Sequence, residues 1–377
     1  MEEQGLQSMM HWIRSATERN MAAFSIVFLG STLLAFLCTR LSIWWSRKRG
    51  WVDLPNPRSL HCVPTPRIGG IGIVIAFCAC VLGMEAFGHS RISEFLVNGR
   101  SEWLMVGATL SLAFAGLYDD LRHLRVAMKF TCEFTAAVAV LAAGISFAPF
   151  SFMPSIVSIS VSYLVTMLWL TGFCNVFNFM DGINGLAGGT GVIYGMALFL
   201  LSLQHGENSV TLFSLLLGGG CLGFVFLNFP RARTFMGDTG SLFLGFFFAL
   251  LVVRLAQLGT SVTALVLVVS VFVFDSGFTL LRRLGRGENI FQAHRSHLYQ
   301  RLVQAGVSQP RVTLLYLLLQ GITAILAISY ESASNGQRFG VLLAGFILLQ
   351  VLPLAVFWIE RRAAREKPSA ARARQFA

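Results

Sequence analysis

Apolar residues in this 377-residue chain fall into repeated blocks of roughly 17–25, separated by short polar stretches. At about 1.5 Å per residue, such blocks are long enough to cross a hydrocarbon core of about 30 Å as helices, which satisfy their own backbone groups in lipid. The pattern predicts eleven spans, at about 22–45, 68–88, 102–118, 128–147, 155–178, 185–204, 211–229, 240–258, 260–281, 311–330 and 338–359. The expected fold class is all-α: a polytopic integral membrane protein with about 11 transmembrane helices, forming one domain over 1–377. Glu2 and Glu3 stand where a signal peptide would be basic, and no small-residue cleavage site follows the first block, so the first helix is read as uncleaved.

Lys and Arg orient the spans, because cytoplasmic loops of membrane proteins carry the excess of positive charge. With the N-terminus outside, only Arg14, Arg19, Arg91, Arg100, Arg254 and Arg338 of the 29 basic residues fall outside. The other 23 sit on the inner side. An odd span count then puts the C-terminus in the cytoplasm, where the 360–377 tail, with Arg361, Arg362, Arg365, Lys367, Arg372 and Arg374, reads as an anchor to anionic lipid.

Composition adds exclusions. The chain is 55% hydrophobic and 12% charged, and a soluble domain carries about twice that charge fraction. The net charge of +11 does not indicate nucleic acid, because the basic residues punctuate apolar segments instead of forming one face. The seven cysteines lack metal-ligand spacing and read as buried small hydrophobes.

With only 18 acidic residues, placement matters. Asp119 and Asp120 are adjacent in GLYDDLRHL, Asp181 lies in NFMDGINGLAGG, and Asp238 lies in NFPRARTFMGDTGS. All four fall on the face that Lys and Arg mark as cytoplasmic. Adjacent carboxylates at a low-dielectric interface need a compensating cation. Hard oxygen ligands favour Mg²⁺ or Mn²⁺, with a substrate phosphate supplying further oxygens. The alternative for Asp119 and Asp120 is a solvated helix end paired with Arg122 and Arg125. Gly-rich turns beside Asp181 and Asp238 allow close approach of a phosphate to backbone N–H groups and a helix start.

The longest polar segment between spans carries Arg282, Arg283, Arg286, Arg295 and Arg301 with His294 and His297. Arg and His there can grip a diphosphate, although a cytoplasmic loop is rich in Arg whatever its function. The first loop contributes Arg58, His61 and Arg67. No cysteine or third histidine stands near the two histidines, so a Zn site is not expected.

Together, these motifs resemble the polyprenyl-phosphate N-acetylhexosamine-1-phosphate transferases, over about 53–301 and in the family's order. PTPRIGG is similar to the first cytoplasmic loop, GLYDDLRHL to the DD motif with Lys129 after it, and NVFNFMDGINGLAGG to the motif that holds Asn178 and Asp181. NFPRARTFMGDTGS, with Asn228, Phe235 and Asp238, matches the most distinctive motif, and HRSHLYQRL stands at a His-rich one. Asn184 replaces an Asp common in relatives, and His297 matches better than His294. PTPRIGG, with Arg67, and HLYQRL look more like the O-antigen-initiating branch.

The resemblance implies transfer of a GlcNAc-, FucNAc- or QuiNAc-type sugar-1-phosphate from a UDP-N-acetylhexosamine to undecaprenyl phosphate, with release of UMP. It implies a bacterial inner-membrane enzyme whose active site faces the cytoplasm, and leaves a homodimer open. The roles it implies are Asp238 and Asp181 for the metal, and Asp119, Asp120, Asp181 and His297 for catalysis. Lys129, Asn178, Asn184, Asn228, Phe235, Arg67, Arg282, His294 and Arg295 would contact substrate, Phe235 by stacking on uracil or only as a packed side chain. A muramyl-pentapeptide transferase is the nearer rival. A secondary transporter, using Glu133 and Asp275 inside spans, is the rival from another class, but no internal repeat relates the halves and the acids cluster at one face.

Overall fold

The computed structural model describes residues 2–55, 63–87, 99–149, 151–206, 209–289, 292 and 294–373, with side chains between positions 21 and 365. Arg58, His61, Arg91 and Arg374 lie outside the described residues, as do the side chains of Arg14, Arg19, Lys367 and Arg372.

Helices dominate, and their order follows the apolar blocks: α1 (Glu2–Arg49), α2 (Ile71–Phe87), α3 (Arg100–Arg122), α4 (Val126–Ala142), α5 (Ser155–Met180), α6 (Leu186–Ser202) and α7 (Ser209–Asn228). Then come α8 (Gly237–Leu258), α9 (Val262–Leu284), the short α10 (Leu298–Gln304), α11 (Gln309–Ser332), α12 (Asn335–Leu349) and α13 (Val351–Ala373). Among the described residues nine helical stretches are long and apolar enough to cross a bilayer, not eleven. The difference lies in α2 and α4, which have 17 residues each, roughly 25 Å of helix. After α4 the chain leaves helical geometry, and Thr166 and Ser162 of α5 hydrogen-bond the Phe147 N–H and carbonyl. Irregular backbone is thus paired within the protein instead of meeting lipid. The last predicted span, about 338–359, is broken at Gln350 into α12 and α13.

The centre of the fold is α8, buried at every position from Thr239 to Val253. It is apolar on all sides, as a helix surrounded by others must be. α3 and α5 pack along it, α1 packs on α2 and α7, α6 on α7, and α11 joins α6 to α9. Aromatic rings fill the spaces: Phe77 meets Phe247 at 5.0 Å, and Phe177 meets Phe248 at 6.0 Å and Phe272 at 5.7 Å. Outer helices keep large apolar side chains exposed, such as Ile26, Leu164 and Leu168, as a lipid-facing surface requires.

One end of this bundle gathers the polar loops. The C-terminal ends of α3, α5 and α7 meet the N-terminus of α8 there. Two short antiparallel strands, β1 (Val52–Asp53) and β2 (Thr65–Pro66), close the first loop and bring Asp53 beside Arg67. Backbone bonds from Gly69 N to Phe235 O and from Gly70 N to Met236 O, each 2.9 Å, join that loop to the turn before α8.

Candidate active site

A cleft of about 540 Å³ opens at this polar end, within the usual range for small-molecule sites. Asp119, Asp120, Asp181 and Asp238 all line it, with Arg67, Asn178, Asn184, Asn228, Phe235 and Arg295.

Lys129 ties the acids together. Its ammonium lies 2.7 Å from Asp119 Oδ2 and 2.6 Å from Asp238 Oδ2, so two carboxylates from different helices converge on one cation. Asp119 is fixed further by the Leu124 N–H, which donates to Oδ1. Asn178 donates from Nδ2 to Asp238 Oδ1 at 3.1 Å and to Ser241 Oγ at 2.8 Å. Each oxygen of Asp238 therefore has a defined partner.

Asp120 has a different task. Its Oδ1 accepts the Asp238 N–H at 2.9 Å, and its Oδ2 accepts the Thr239 N–H at 3.0 Å and the Thr239 hydroxyl at 2.6 Å. A carboxylate from α3 thus caps the orphan amides at the start of α8, where the helix dipole also favours negative charge. Gly237 is the first residue of α8, at φ +68°, and a Cβ there would fall 2.3 Å from Arg67 O and 2.6 Å from Asp120 Oδ2. Gly116 lets α3 approach: a Cβ on it would lie 2.4 Å from Asp238 O. Glycine at both positions lets α3 hold the Asp238 turn directly. Both Asp120 oxygens are used in this way, so Asp120 holds the backbone that presents Asp238 while lining the cleft itself.

Asp181 lies in the turn between α5 and α6. Desolvation by the walls of the cleft, then the charges of Asp238 and Asp120, push its carboxyl well above the usual range. It keeps its proton to higher pH than a free carboxyl unless a cation compensates it.

Other predicted contacts line the cleft and also brace its loops. Asn228 accepts the Gly185 N–H at 2.6 Å and donates to Thr234 O at 2.8 Å, joining two loops with both ends of its amide. Asn184 donates to Pro230 O at 3.3 Å while lining the cleft. Arg67 sits 3.1 Å from Asp53 and reaches Asp120 O at 3.4 Å.

The histidine segment differs most from expectation. His297 is 4% exposed and does not line the cleft. Its Nδ1 pairs with Asp275 Oδ1 at 3.3 Å, and it opens α10. Asp275, wholly buried, also accepts the Leu298 N–H at 2.8 Å, the Tyr299 N–H at 3.2 Å and the Tyr316 hydroxyl at 2.6 Å. The acid weighed above as a transport residue instead anchors the loop that carries the histidines. His294 and Arg282 are also absent from the lining; Arg282 donates to Ser296 O at 3.2 Å. Burial, then the charges of His297 and Arg283, lower His294 to a pKa of about 4.

Sequence reading missed five polar side chains of the lining: Asp53, His123, Gln300, Gln304 and Gln309. Asp53 was findable as one more rare acid on the cytoplasmic side. Gln300 and Gln304 are four apart and share a helix face. His123, at φ 59°, closes α3 in a conformation unusual outside glycine, which sequence does not reveal.

Comparison with known proteins agrees with this geometry. The model of glycosyl transferase family 4 matches residues 103–256, which include Asp119, Asp120, Asp181 and Asp238. A probable undecaprenyl-phosphate N-acetylglucosaminyl 1-phosphate transferase of Bacillus subtilis is 30% identical over 89% of this chain and 92% of its own. A decaprenyl-phosphate N-acetylglucosaminephosphotransferase of Mycobacterium leprae is 30% identical over 90% of this chain and 91% of its own. An undecaprenyl-phosphate alpha-N-acetylglucosaminyl 1-phosphate transferase of Yersinia pestis is 26% identical over 86% and 88%. Identity at this level along nearly the whole length, with the four acids gathered at one cleft, places the chain in glycosyl transferase family 4, among the polyprenyl-phosphate N-acetylglucosamine-1-phosphate transferases.

Proposed function

We propose that this protein transfers an N-acetylhexosamine-1-phosphate from a UDP-sugar to undecaprenyl phosphate at the cytoplasmic face of a bacterial inner membrane, releasing UMP. N-acetylglucosamine is the first sugar to test, since the relatives' names specify it. The product would initiate a cell-envelope polysaccharide, with O-antigen as the branch suggested by PTPRIGG and HLYQRL. The observation that carries this reading is the convergence of Asp119 and Asp238 on Lys129. It sits in a polar cleft at one end of the helix bundle, where this reading brings a lipid phosphate and a soluble nucleotide together.

The donor set fits Mg²⁺. Among the described residues no three His, Cys, Asp or Glu side chains form a metal cluster. Mg²⁺ is commonly held by one or two carboxylates, with phosphate and water oxygens completing the shell. Asp238 Oδ2 and Asp119 Oδ2, already facing one point, are such a pair, and Asp181 stands on the same cleft. When bound, the ion would neutralise phosphate charge during transfer.

The chain's own residues do the rest. Lys129 supplies positive charge between the acids and can turn an ammonium N–H towards a phosphate oxygen. Asn178 fixes the rotation of Asp238, and Asp120 fixes the backbone beneath it. Arg295 offers a guanidinium to the donor's diphosphate, and Phe235 offers a ring for uracil to stack on. Holding two polyanions in line is most of the catalytic task in phosphoryl transfer. The acceptor phosphate is largely ionised near neutral pH, so attack on the sugar-linked phosphorus needs no strong base.

The test is UMP release by purified protein with undecaprenyl phosphate, Mg²⁺ and a panel of UDP-N-acetylhexosamines. Release that stops with chelator and returns with Mg²⁺ or Mn²⁺ is expected. No release with any donor would overturn the proposal.

A further inference from the structure

The basic C-terminal helix was expected to serve as a lipid anchor. The structure gives it a second contact. Glu360 of α13 receives two hydrogen bonds from Arg301 of α10: Nε to Oε1 at 2.9 Å and Nη2 to Oε2 at 2.7 Å. This is the fork-to-fork pairing that fixes orientation as well as distance.

The position of Arg301 gives this pair its reach. α10 is only seven residues long, too short to hold its place without tertiary contacts. Its three faces do three things. Leu298, Tyr299 and Leu302 are buried, and Asp275 takes the first two N–H groups at its start. Gln300 and Gln304 line the cleft, and Gln304 Nε2 donates to Arg295 O at 2.9 Å, so the cleft-lining Arg295 is tied to the same helix. Arg301, between the two glutamines, faces α13. The cleft wall is therefore pinned from the core by Asp275 and from the periphery by Glu360.

We propose that Arg301 and Glu360 are positioning residues: the C-terminal helix braces α10 and so sets the placement of Gln300, Gln304 and Arg295 for the nucleotide-sugar donor. This rests on the transferase reading for the identity of the ligand. Neither residue lines the cleft, and neither touches the Asp119–Lys129–Asp238 cluster. Loss of the brace should therefore weaken donor engagement more than it slows chemistry.

The experiment is a charge swap in the full chain, purified in one detergent. Arg301→Glu and Glu360→Arg should each raise the donor KM about five- to twentyfold, with kcat within about threefold, less than the loss of one charge from a fully buried pair because Glu360 is partly exposed. The double swap should return KM to within about threefold of the parent. Glu360→Gln provides a milder single variant if a reversal does not fold, and should raise KM in the same direction. Hydrogen exchange over residues 298–304, without substrate, should rise in each single variant and fall back in the swap. That measurement needs no turnover, so an inactive parent protein would count against the transferase reading and leave the brace testable. Unchanged KM and exchange in the single variants, or a double swap no better than either single, would overturn the proposal.

Discussion

The Asp238 backbone N–H donates to Asp120 Oδ1 at 2.9 Å, so one acid of the cleft fixes the turn that presents another. The two acids should therefore fail differently. Asp238→Asn removes a carboxylate from the convergence point and should lower kcat by about 10²–10³ or more, with thermal stability kept, since a charge facing Asp119 is lost. Asp120→Ala should lower kcat and also cost about 1–2 kcal/mol of stability, because the α8 amides lose their cap. Turnover and thermal midpoints of the two variants in one detergent decide this. Equal midpoints would remove Asp120 from the positioning role.

Lys129 stands where a divalent ion shared by Asp119 and Asp238 would be drawn. Lys129→Met leaves two carboxylates facing one another without a cation, an arrangement that repels itself and attracts Mn²⁺. We predict that the variant binds Mn²⁺ at least as tightly as the parent, while UMP release falls by about 100-fold. Mn²⁺ titration followed by electron paramagnetic resonance separates the two effects. Weaker Mn²⁺ binding would mean that Lys129 builds the ion site instead of competing with it.

The fold and much of the cleft were legible in sequence for a physical reason. Lipid excludes charge, so an acid that survives in such a chain is informative, and Asp119, Asp120, Asp181 and Asp238 all reached the cleft. Direction was not legible. Nothing in GLYDDLRHL distinguishes the acid that faces Lys129 from its neighbour that caps α8, because the cap depends on amides 118 and 119 positions away. The histidines misled for the same reason: HRSHLYQ shows residue types, while the buried Asp275 that turns His297 away from the cleft lies 22 residues earlier in another helix. Hydropathy also gave α2 and α4 full spans, although each helix has 17 residues, and after α4 side chains of α5 pair the irregular backbone at Phe147.

His294 carries a pH signature. Its pKa is lowered to about 4 by burial and by the charges of His297 and Arg283, against about 6.5 in an unfolded chain. Between those values the unfolded state takes up a proton that the native state refuses, so stability falls as pH drops from about 6.5 towards 4. Near neutral pH the ring is uncharged in the native state and adds no positive charge for a diphosphate. His294→Gln should therefore show a smaller loss of thermal midpoint between pH 7 and pH 5 than the parent. Parallel slopes would mean that His294 titrates as it does in the unfolded chain.

Glu133 is the acid least expected from its surroundings: it lies inside α4, is 1% exposed, and accepts a hydrogen bond from Asn175 Nδ2. A carboxylate at that depth is costly unless it is paired. Glu133 lies one turn from Lys129 on α4, and Asn175 lies one turn from Asn178 on α5. The Glu133–Asn175 bond thus holds together the two helices that flank Asp238. Lys129 already has two carboxylates within 2.7 Å, so the contribution expected of Glu133 is the hydrogen bond and not its charge. Glu133→Gln keeps an acceptor of the same shape and should leave kcat within about threefold, with an unchanged or higher thermal midpoint. Glu133→Leu leaves one Asn175 N–H without its acceptor while Nδ2 still reaches Thr171 O at 2.9 Å, which costs about 1–3 kcal/mol and should lower both turnover and stability. If the Gln variant loses as much activity as the Leu variant while staying folded, the negative charge itself serves the Lys129 cluster, and the bracing role fails.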